Sequence, residues 1–277
     1  MLACMAGLIL NDALVKLVSA DLPTGQIIFI RGFFASLFIF AIVAYTGAIR
    51  EITPALNKPV FWRVCGEVIG TGLYLTALFQ LPIANATAII QSIPLAVTAI
   101  AAILLREHVG WRRWTAVLVG FLGVLIIVRP GMDGFNFYAL LAFGSVALIA
   151  LRDLATREIP AGIRNIVVTF ITSCAVMVLG IVMGLFEDWI MPSWTAIAYL
   201  AGAALLILVG YFGAIVAMRV GEISVVAPFR YSIVVWALLL GYFVWGDVPD
   251  LLTLIGTALV VATGIYTFFR ERATGNL

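Results

Sequence analysis

Ten apolar stretches, each about long enough to cross a bilayer, alternate with short gaps that hold almost all the arginines and lysines. They lie near residues 1–19, 25–48, 61–81, 83–105, 112–128, 136–154, 164–186, 194–218, 223–246 and 250–269. A helical span needs roughly 20 apolar residues, and backbone inside lipid must satisfy its own polar groups. With 64% hydrophobic and 11% charged residues, the chain has too little polar surface for a water-soluble fold. The runs lack the period-two polar alternation of a barrel strand. The expected fold class is therefore an all-α polytopic membrane protein with ten transmembrane helices, the third and fourth separated only by Leu81-Pro82-Ile83.

Assigning the gaps alternately to two sides makes the charge bias one-sided. Arg50, Lys58, Arg63, Arg106, Arg112, Arg113, Arg152, Arg157, Arg164, Arg219, Arg270 and Arg272 fall on one side, 12 of the 16 basic residues, and Arg129 alone on the other. In short loops this asymmetry marks the cytoplasmic side, so both termini are expected there. Lys16, Arg31 and Arg230 remain, each inside a span.

No basic segment precedes the first apolar run and no small-residue cleavage pattern ends it, so no secretory signal is evident. The chain begins inside that run, and a few residues are expected upstream. Cys4, Cys65 and Cys174 have no paired spacing and read as small core residues, not a disulfide framework or metal site. Basic residues spread over short loops imply no nucleic-acid partner, and no residue pattern calls for a cofactor.

The chain partly overlays itself. The stretch from Ala77 to Glu107 resembles that from Ala217 to Asp247, and at an offset of 137 Gly7, Pro23, Gly25 and Ser36 fall on Gly144, Pro160, Gly162 and Ser173. This predicts two five-helix halves, residues 1–130 and 131–277, meeting near Pro130 to Asn136. An odd number of spans per half inverts the second half, and inverted repeats supply the two exchangeable packings of alternating access.

These residues resemble the EamA-type family of the drug/metabolite transporter superfamily. The resemblance rests on Ala84-Asn85-Ala86-Thr87-Ala88, Pro94, the helix end Leu104-Leu105-Arg106-Glu107, the following Gly120 and Gly123, and Arg31. The second half departs from the pattern: Asp247 replaces the usual glutamate, and Pro228 lies six residues before the position matching Pro94. Within the superfamily, the length and aromatic content look most like YddG-type exporters of amino acids, including aromatic ones. The resemblance implies a ten-helix fold with a central cavity, the bilayer and a small metabolite as partners, and efflux across a bacterial plasma membrane.

Ionisable groups inside a bilayer are costly and face a bundle interior or aqueous cavity. Asp12 and Lys16 share a helix face at i,i+4 spacing, and Arg31, at a similar depth in the next span, can approach them. Two readings stand: a docking site or gate for a zwitterion, or a structural ion network with Lys16 snorkelling outward. Arg230 has no acidic residue one turn away in its own span, and site and structural roles are equally open. Tyr74, Gln91, Ser92, Tyr211, Tyr231 and Trp236 lie well inside their spans, where they can line a cavity for an amphipathic solute or fill packing gaps.

Pro94 and Pro228 remove backbone donors in mid-helix and are hinge candidates, although proline is also tolerated there for packing. Arg63 with Glu67 and Arg152 with Asp153 read as pairs near cytoplasmic helix ends. His108, the sole histidine, reads as a solvated loop residue.

A membrane enzyme is the competing class, but no H-E-x-x-H or G-x-S-x-G motif occurs. A channel or a scaffold makes less use of an inverted repeat with buried charges. No G-x-x-x-x-G-K-[ST] loop occurs, leaving facilitated diffusion or proton exchange through Asp12. A monomer suffices to enclose a route for amino acids or, as alternatives, for nucleosides or cationic drugs.

Overall fold

A computed structural model describes residues 1–104, 106, 109–129, 136–160, 162–220 and 227–273. Within them all regular structure is helical. The first helices are α1 (Leu2–Val18) and α2 (Thr24–Tyr45), then a 3₁₀ turn (Ala48–Glu51), α3 (Ile52–Ala55) and α4 (Lys58–Gln80). Next come α5 (Ile83–Ile90), α6 (Ile93–Leu104), α7 (Trp111–Val128), α8 (Phe137–Arg157), α9 (Asn165–Gly184) and α10 (Trp194–Val220). A 3₁₀ turn (Ala227–Tyr231) then leads into α11 (Ser232–Leu240), a π turn (Gly241–Trp245) and α12 (Leu251–Ala273).

Seven helices among the described residues are long and apolar enough to cross a membrane: Thr24–Tyr45, Ile83–Leu104, Trp111–Val128, Phe137–Arg157, Asn165–Gly184, Trp194–Gly213 and Leu251–Phe269. The sequence predicts ten spans, and the other three fall short for identifiable reasons. Helix α1 has 17 residues and carries Asp12 and Lys16. Helix α4 is long enough but carries Arg63, Glu67, Thr71 and Tyr74. The segment Phe229–Trp245 is apolar but short.

The most extensive packing joins α2 to α9, α4 to α8, α7 to α12 and α1 to α10. Each pair is antiparallel. Cys4, Leu8 and Leu14 meet Gly213, Gly210 and Gly202, while Gly66, Gly70 and Leu73 meet Arg152, Ile149 and Gly144. Apolar burial does not drive association inside lipid, so close approach through small residues does. Outward faces carry exposed Phe33, Phe40, Ile69, Leu118, Leu122, Val178 and Leu205, as lipid contact requires. Ile9, Ile27, Leu75, Leu78, Ile89 and Leu200 are fully buried between helices.

The α7/α12 crossing brings backbone against backbone at two glycines. A Cβ on Gly123 would lie 2.8 Å from the Gly256 carbonyl oxygen, and one on Gly256 would lie 2.5 Å from that of Gly123. Gly123→Leu should therefore lower stability by about 1–3 kcal/mol, as overpacking does. The check is the melting temperature in detergent beside Leu122→Ala on the exposed face, which should change little.

Candidate functional site

Two irregular helical segments shape the interior. Between α5 and α6, Gln91 and Ser92 form a turn: the Ser92 amide and hydroxyl both donate to the Ile89 carbonyl, at 3.0 and 2.7 Å. Pro94 follows and has no N–H to give the Ile90 carbonyl. In the other half, the 3₁₀ turn Ala227–Tyr231 gives way to α11 at Ser232. Gln91 and Tyr231, one in each segment, both face a cavity of about 560 Å³. That volume lies in the range of sites for drug-sized ligands.

The cavity places together Asp12, Arg31, Tyr74, Gln91, Pro94, Tyr211, Arg230 and Tyr231 of the residues singled out from sequence. The Asp12 carboxylate accepts hydrogen bonds from the Tyr74 hydroxyl at 2.7 Å and from Asn11 Nδ2 at 2.9 Å. Arg31 is 8% exposed and lies within electrostatic range of Asp12, Glu67, Tyr74 and Tyr211. Neither Arg31 nor Arg230 makes a hydrogen bond or ion pair to another described residue. Tyr231 stands so close to Gly264 that a methyl group there would overlap its hydroxyl.

Lys16, Ser92 and Trp236 do not line this cavity. Lys16 points past its floor and donates to the Leu78 carbonyl at 2.9 Å and to the Leu81 carbonyl, the last turn of α4 and its cap. Those carbonyls are the negative end of a helix dipole, which explains why an ammonium settles there. The Lys16 ammonium also lies 5.5 Å from the centre of the Trp245 ring. Ser92 is buried on the Ile89 carbonyl, and Trp236 packs against the core. Pro228 falls in the 3₁₀ turn, but its surroundings lie outside the described residues, as do Glu107, His108 and most of the junction near Pro130.

The structure corrects one pairing. Glu67 does not partner Arg63, one turn away on α4, but Arg152 of α8: Arg152 Nη1 donates to Glu67 at 2.7 Å, and its Nη2 and Nε donate to Asp153 at 2.7 and 2.9 Å. Antiparallel packing at Gly66 brings Arg152 beside Glu67, while Arg63 turns to the Thr172 hydroxyl at 2.5 Å. The Arg152 and Glu67 side chains are only 18% and 21% exposed, so this is an interior ion pair, not a surface one. Glu67 is the tenth residue of α4, roughly 14 Å along it, a depth that marks an intramembrane carboxylate.

Five arginines (Arg31, Arg113, Arg152, Arg157, Arg230) and three acids (Asp12, Glu67, Asp153) line the cavity. Arg31 and Arg230, which pair with no described residue, favour a solute with a carboxylate or other anionic group, with Asp12 available for a cation and tyrosine faces for an apolar body.

Three contacts join the helices at the end of the bundle beyond Lys16. Glu187 accepts from the Gly25 amide at 2.8 Å, Gln26 Nε2 donates to the Ile190 carbonyl at 2.6 Å, and Arg129 pairs with Asp250. Asp250 also caps α12, accepting from the Thr253 amide at 3.0 Å. Arg129 and Thr253 hold its carboxyl down at about 2, from an ordinary 3.8. A depressed carboxylate pKa contributes stability that is complete above the unfolded value and is lost as pH falls through the folded one. The melting-temperature difference between the wild type and Asp250→Asn should thus stay constant from pH 8 to pH 5 and shrink only below about pH 4. It should be small, because the pair is largely solvated.

Similarity to known proteins agrees with this architecture. A model of the EamA-like transporter family matches residues 1–129. A riboflavin transporter of Vibrio cholerae is 30% identical over 241 residues, 80% of this chain and 79% of the relative. The chain belongs to the EamA-like transporter family. This EamA-like transporter also resembles an S-adenosylmethionine uptake transporter of Rickettsia conorii, 25% identical over 96% of the chain and 90% of the relative. A pseudopaline exporter of Pseudomonas aeruginosa is 27% identical over 92% and 89%. A crystal structure 18% identical in sequence superposes with a TM-score of 0.66 over 98% of this chain and 97% of the other, which establishes the shared fold.

The EamA-like chain is thus a multi-pass membrane transporter with a small-molecule substrate, as the residues around Asn85, Pro94 and Gly120 lead one to expect. The relatives' names cover three unlike cargoes and both directions of transport, so they do not single out amino acids.

Proposed function

We propose that this EamA-like transporter is a ten-span secondary carrier that moves zwitterionic α-amino-acid metabolites, aromatic ones included, by alternating access between two inverted halves. Residues 1–130 and 131–277 are the halves. The observation that carries the reading is a pair of matched positions: Gln91, at the turn between α5 and α6, and Tyr231, in the 3₁₀ turn that leads into α11, lie 140 positions apart, match under the internal repeat, and face one cavity. Matching positions in the two halves that line one cavity at the repeat interface are where inverted-repeat transporters hold their substrate.

The packing supports the inversion. Exchanging the halves turns the α1/α10 pair into the α8/α4 pair and returns α2/α9 and α7/α12 to themselves, and all four pairs occur. Ser36 bonds Ser173, its own counterpart at an offset of 137, at 3.1 Å, as expected where two copies meet on a pseudo-twofold axis.

In this reading Arg31 and Arg230 take the carboxylate, Asp12 the ammonium, and Tyr74, Tyr211 and Tyr231 the side chain. The S-adenosylmethionine relative supports the class, since that molecule joins an α-amino-acid head to an aromatic base. The cavity walls reach Val109, Arg113, Arg157 and Phe268, at the arginine-rich end. With that end cytoplasmic in the bacterial inner membrane, this conformation is inward-facing and both termini are inside. No ATP-binding loop is present; of the two remaining modes the reading takes flux down the solute gradient over proton exchange through Asp12, and export results when the cytoplasm is the richer side.

The test is reconstitution into liposomes with labelled phenylalanine, tryptophan, S-adenosylmethionine and riboflavin. Saturable flux of the zwitterions, weakened in Arg230→Ala and unaffected by an imposed pH gradient, is the expected result. Flux of riboflavin alone removes the amino-acid class, and wild-type flux in Arg230→Ala removes that residue from the site.

A further inference from the structure

A second cavity of about 350 Å³ lies beside the first, among α2, α4, α8, α9 and α10. The two share a wall that includes Arg31, Glu67, Arg152 and Tyr211. The proposal above leaves this chamber without a task, yet its chemistry is specific. Three arginines line it, Arg31, Arg63 and Arg152, against two acids, Glu67 and Asp153. Arg152 already occupies both acids. The other two guanidiniums therefore have no carboxylate bonded to them.

Arg63 is the more telling. Its Nη1 donates to the Thr172 hydroxyl, but its buried Nε has no hydrogen-bond partner among the described residues. That Nε is closed off from the chamber, but Nη2 donates to no described residue, and since an unpaired donor on a charged group is disfavoured, a bound anion would gain by pairing with Nη2. The Thr172 hydroxyl is itself committed to the Val168 carbonyl at 2.7 Å and cannot donate further. The cationic feature thus rests on Arg63, with Arg31 on the shared wall. Ile39, Ile166, Val176 and Leu208 supply an apolar lining around it.

We infer that the second chamber is a binding site for an amphipathic monoanion, a carboxylate or phosphate ester whose charged head pairs with Arg63 and Arg31 and whose apolar body lies along α2 and α9. The inference stands on Arg63, which the proposed cargo site does not use, while Arg31 on the shared wall is common to both sites. The same chemistry comes from two sources, a soluble amphipathic acid or the head of an anionic phospholipid.

The experiment uses the full chain in nanodiscs and a photoactivatable decanoate, with the matching decanol as the uncharged control. In phosphatidylcholine discs, decanoate should label α4 and α9 in preference to α6 and α12, and decanol should not. Arg63→Gln should weaken labelling at least tenfold, the loss of a charge-assisted hydrogen bond, and Arg63→Lys should retain most of it. A melting curve of each variant verifies folding, and if Arg63→Gln does not fold, Leu208→Trp, which fills the chamber, takes its place. Decanoate displaced by phosphatidylglycerol discs identifies a lipid headgroup as the source, and undiminished labelling identifies a soluble acid. Equal labelling by decanol, labelling confined to α6 and α12, or labelling that persists in Arg63→Gln overturns the inference.

Discussion

Replacing Asp12 by asparagine is expected to raise the KM for a zwitterionic cargo by about 30-fold while leaving the KM for its N-acetyl derivative unchanged. The side chains are nearly isosteric, so the cavity keeps its shape and the Tyr74 hydroxyl keeps an oxygen to bond. What disappears is the negative charge facing Arg31. Truncating one partner of a hydrogen-bonded charge pair costs about 2–5 kcal/mol. The lower end applies in a cavity that water enters, and about 2 kcal/mol is about 30-fold. The N-acetyl derivative has no ammonium and nothing to lose. Equal losses for the two compounds would mean that Asp12 only holds α1 to α4 through Tyr74.

The second large effect is structural. Arg152→Gln should lower stability by about 3 kcal/mol, because it leaves the Glu67 carboxylate buried without its counter-ion. For a chain of this size that is roughly 8 °C in melting temperature. Adding Glu67→Gln to the same chain should recover more than half, since two neutral amides can hydrogen-bond where one stranded charge cannot. Asp153 limits the recovery little, being 39% exposed and reachable by water. Melting curves of the two single variants and the double variant form the cycle that separates the pair from its parts. Additive losses would show that Glu67 and Arg152 do not depend on one another.

The contrast between these sites explains how far the sequence could be read. Asp12 and Arg31 stand in otherwise apolar stretches, where the cost of a charge in lipid makes their interior position legible from one dimension. Glu67 and Arg152 were harder, because each lies in a helix with other charges toward its end, and a snorkelling side chain serves equally well there. For Lys16 the sequence left two readings, a share in the site with Asp12 or a structural role turned outward. Its spacing from Asp12 placed it on the same helix face, but a helix face runs the full depth of the membrane, and one turn carried Lys16 out of the cavity to the carbonyls ending α4. The second chamber had no local signal at all, since Arg63, Thr172 and Arg31 come from three different helices.

The apolar runs and basic gaps, by themselves, determined that this chain is a helical membrane protein, and the motifs around Asn85, Pro94 and Gly120 pointed to its family. These are local properties, set by the cost of exposing backbone or charge to lipid segment by segment. Which arginine neutralises which acid, which side chains share a cavity, and which residues join the helices at the far end were decided only by the tertiary structure. Helices in lipid associate through close van der Waals fit, as at Gly66 against Leu148 and Arg152. That fit depends on the shapes of two distant segments at once, and it fixes every charge pair beside it.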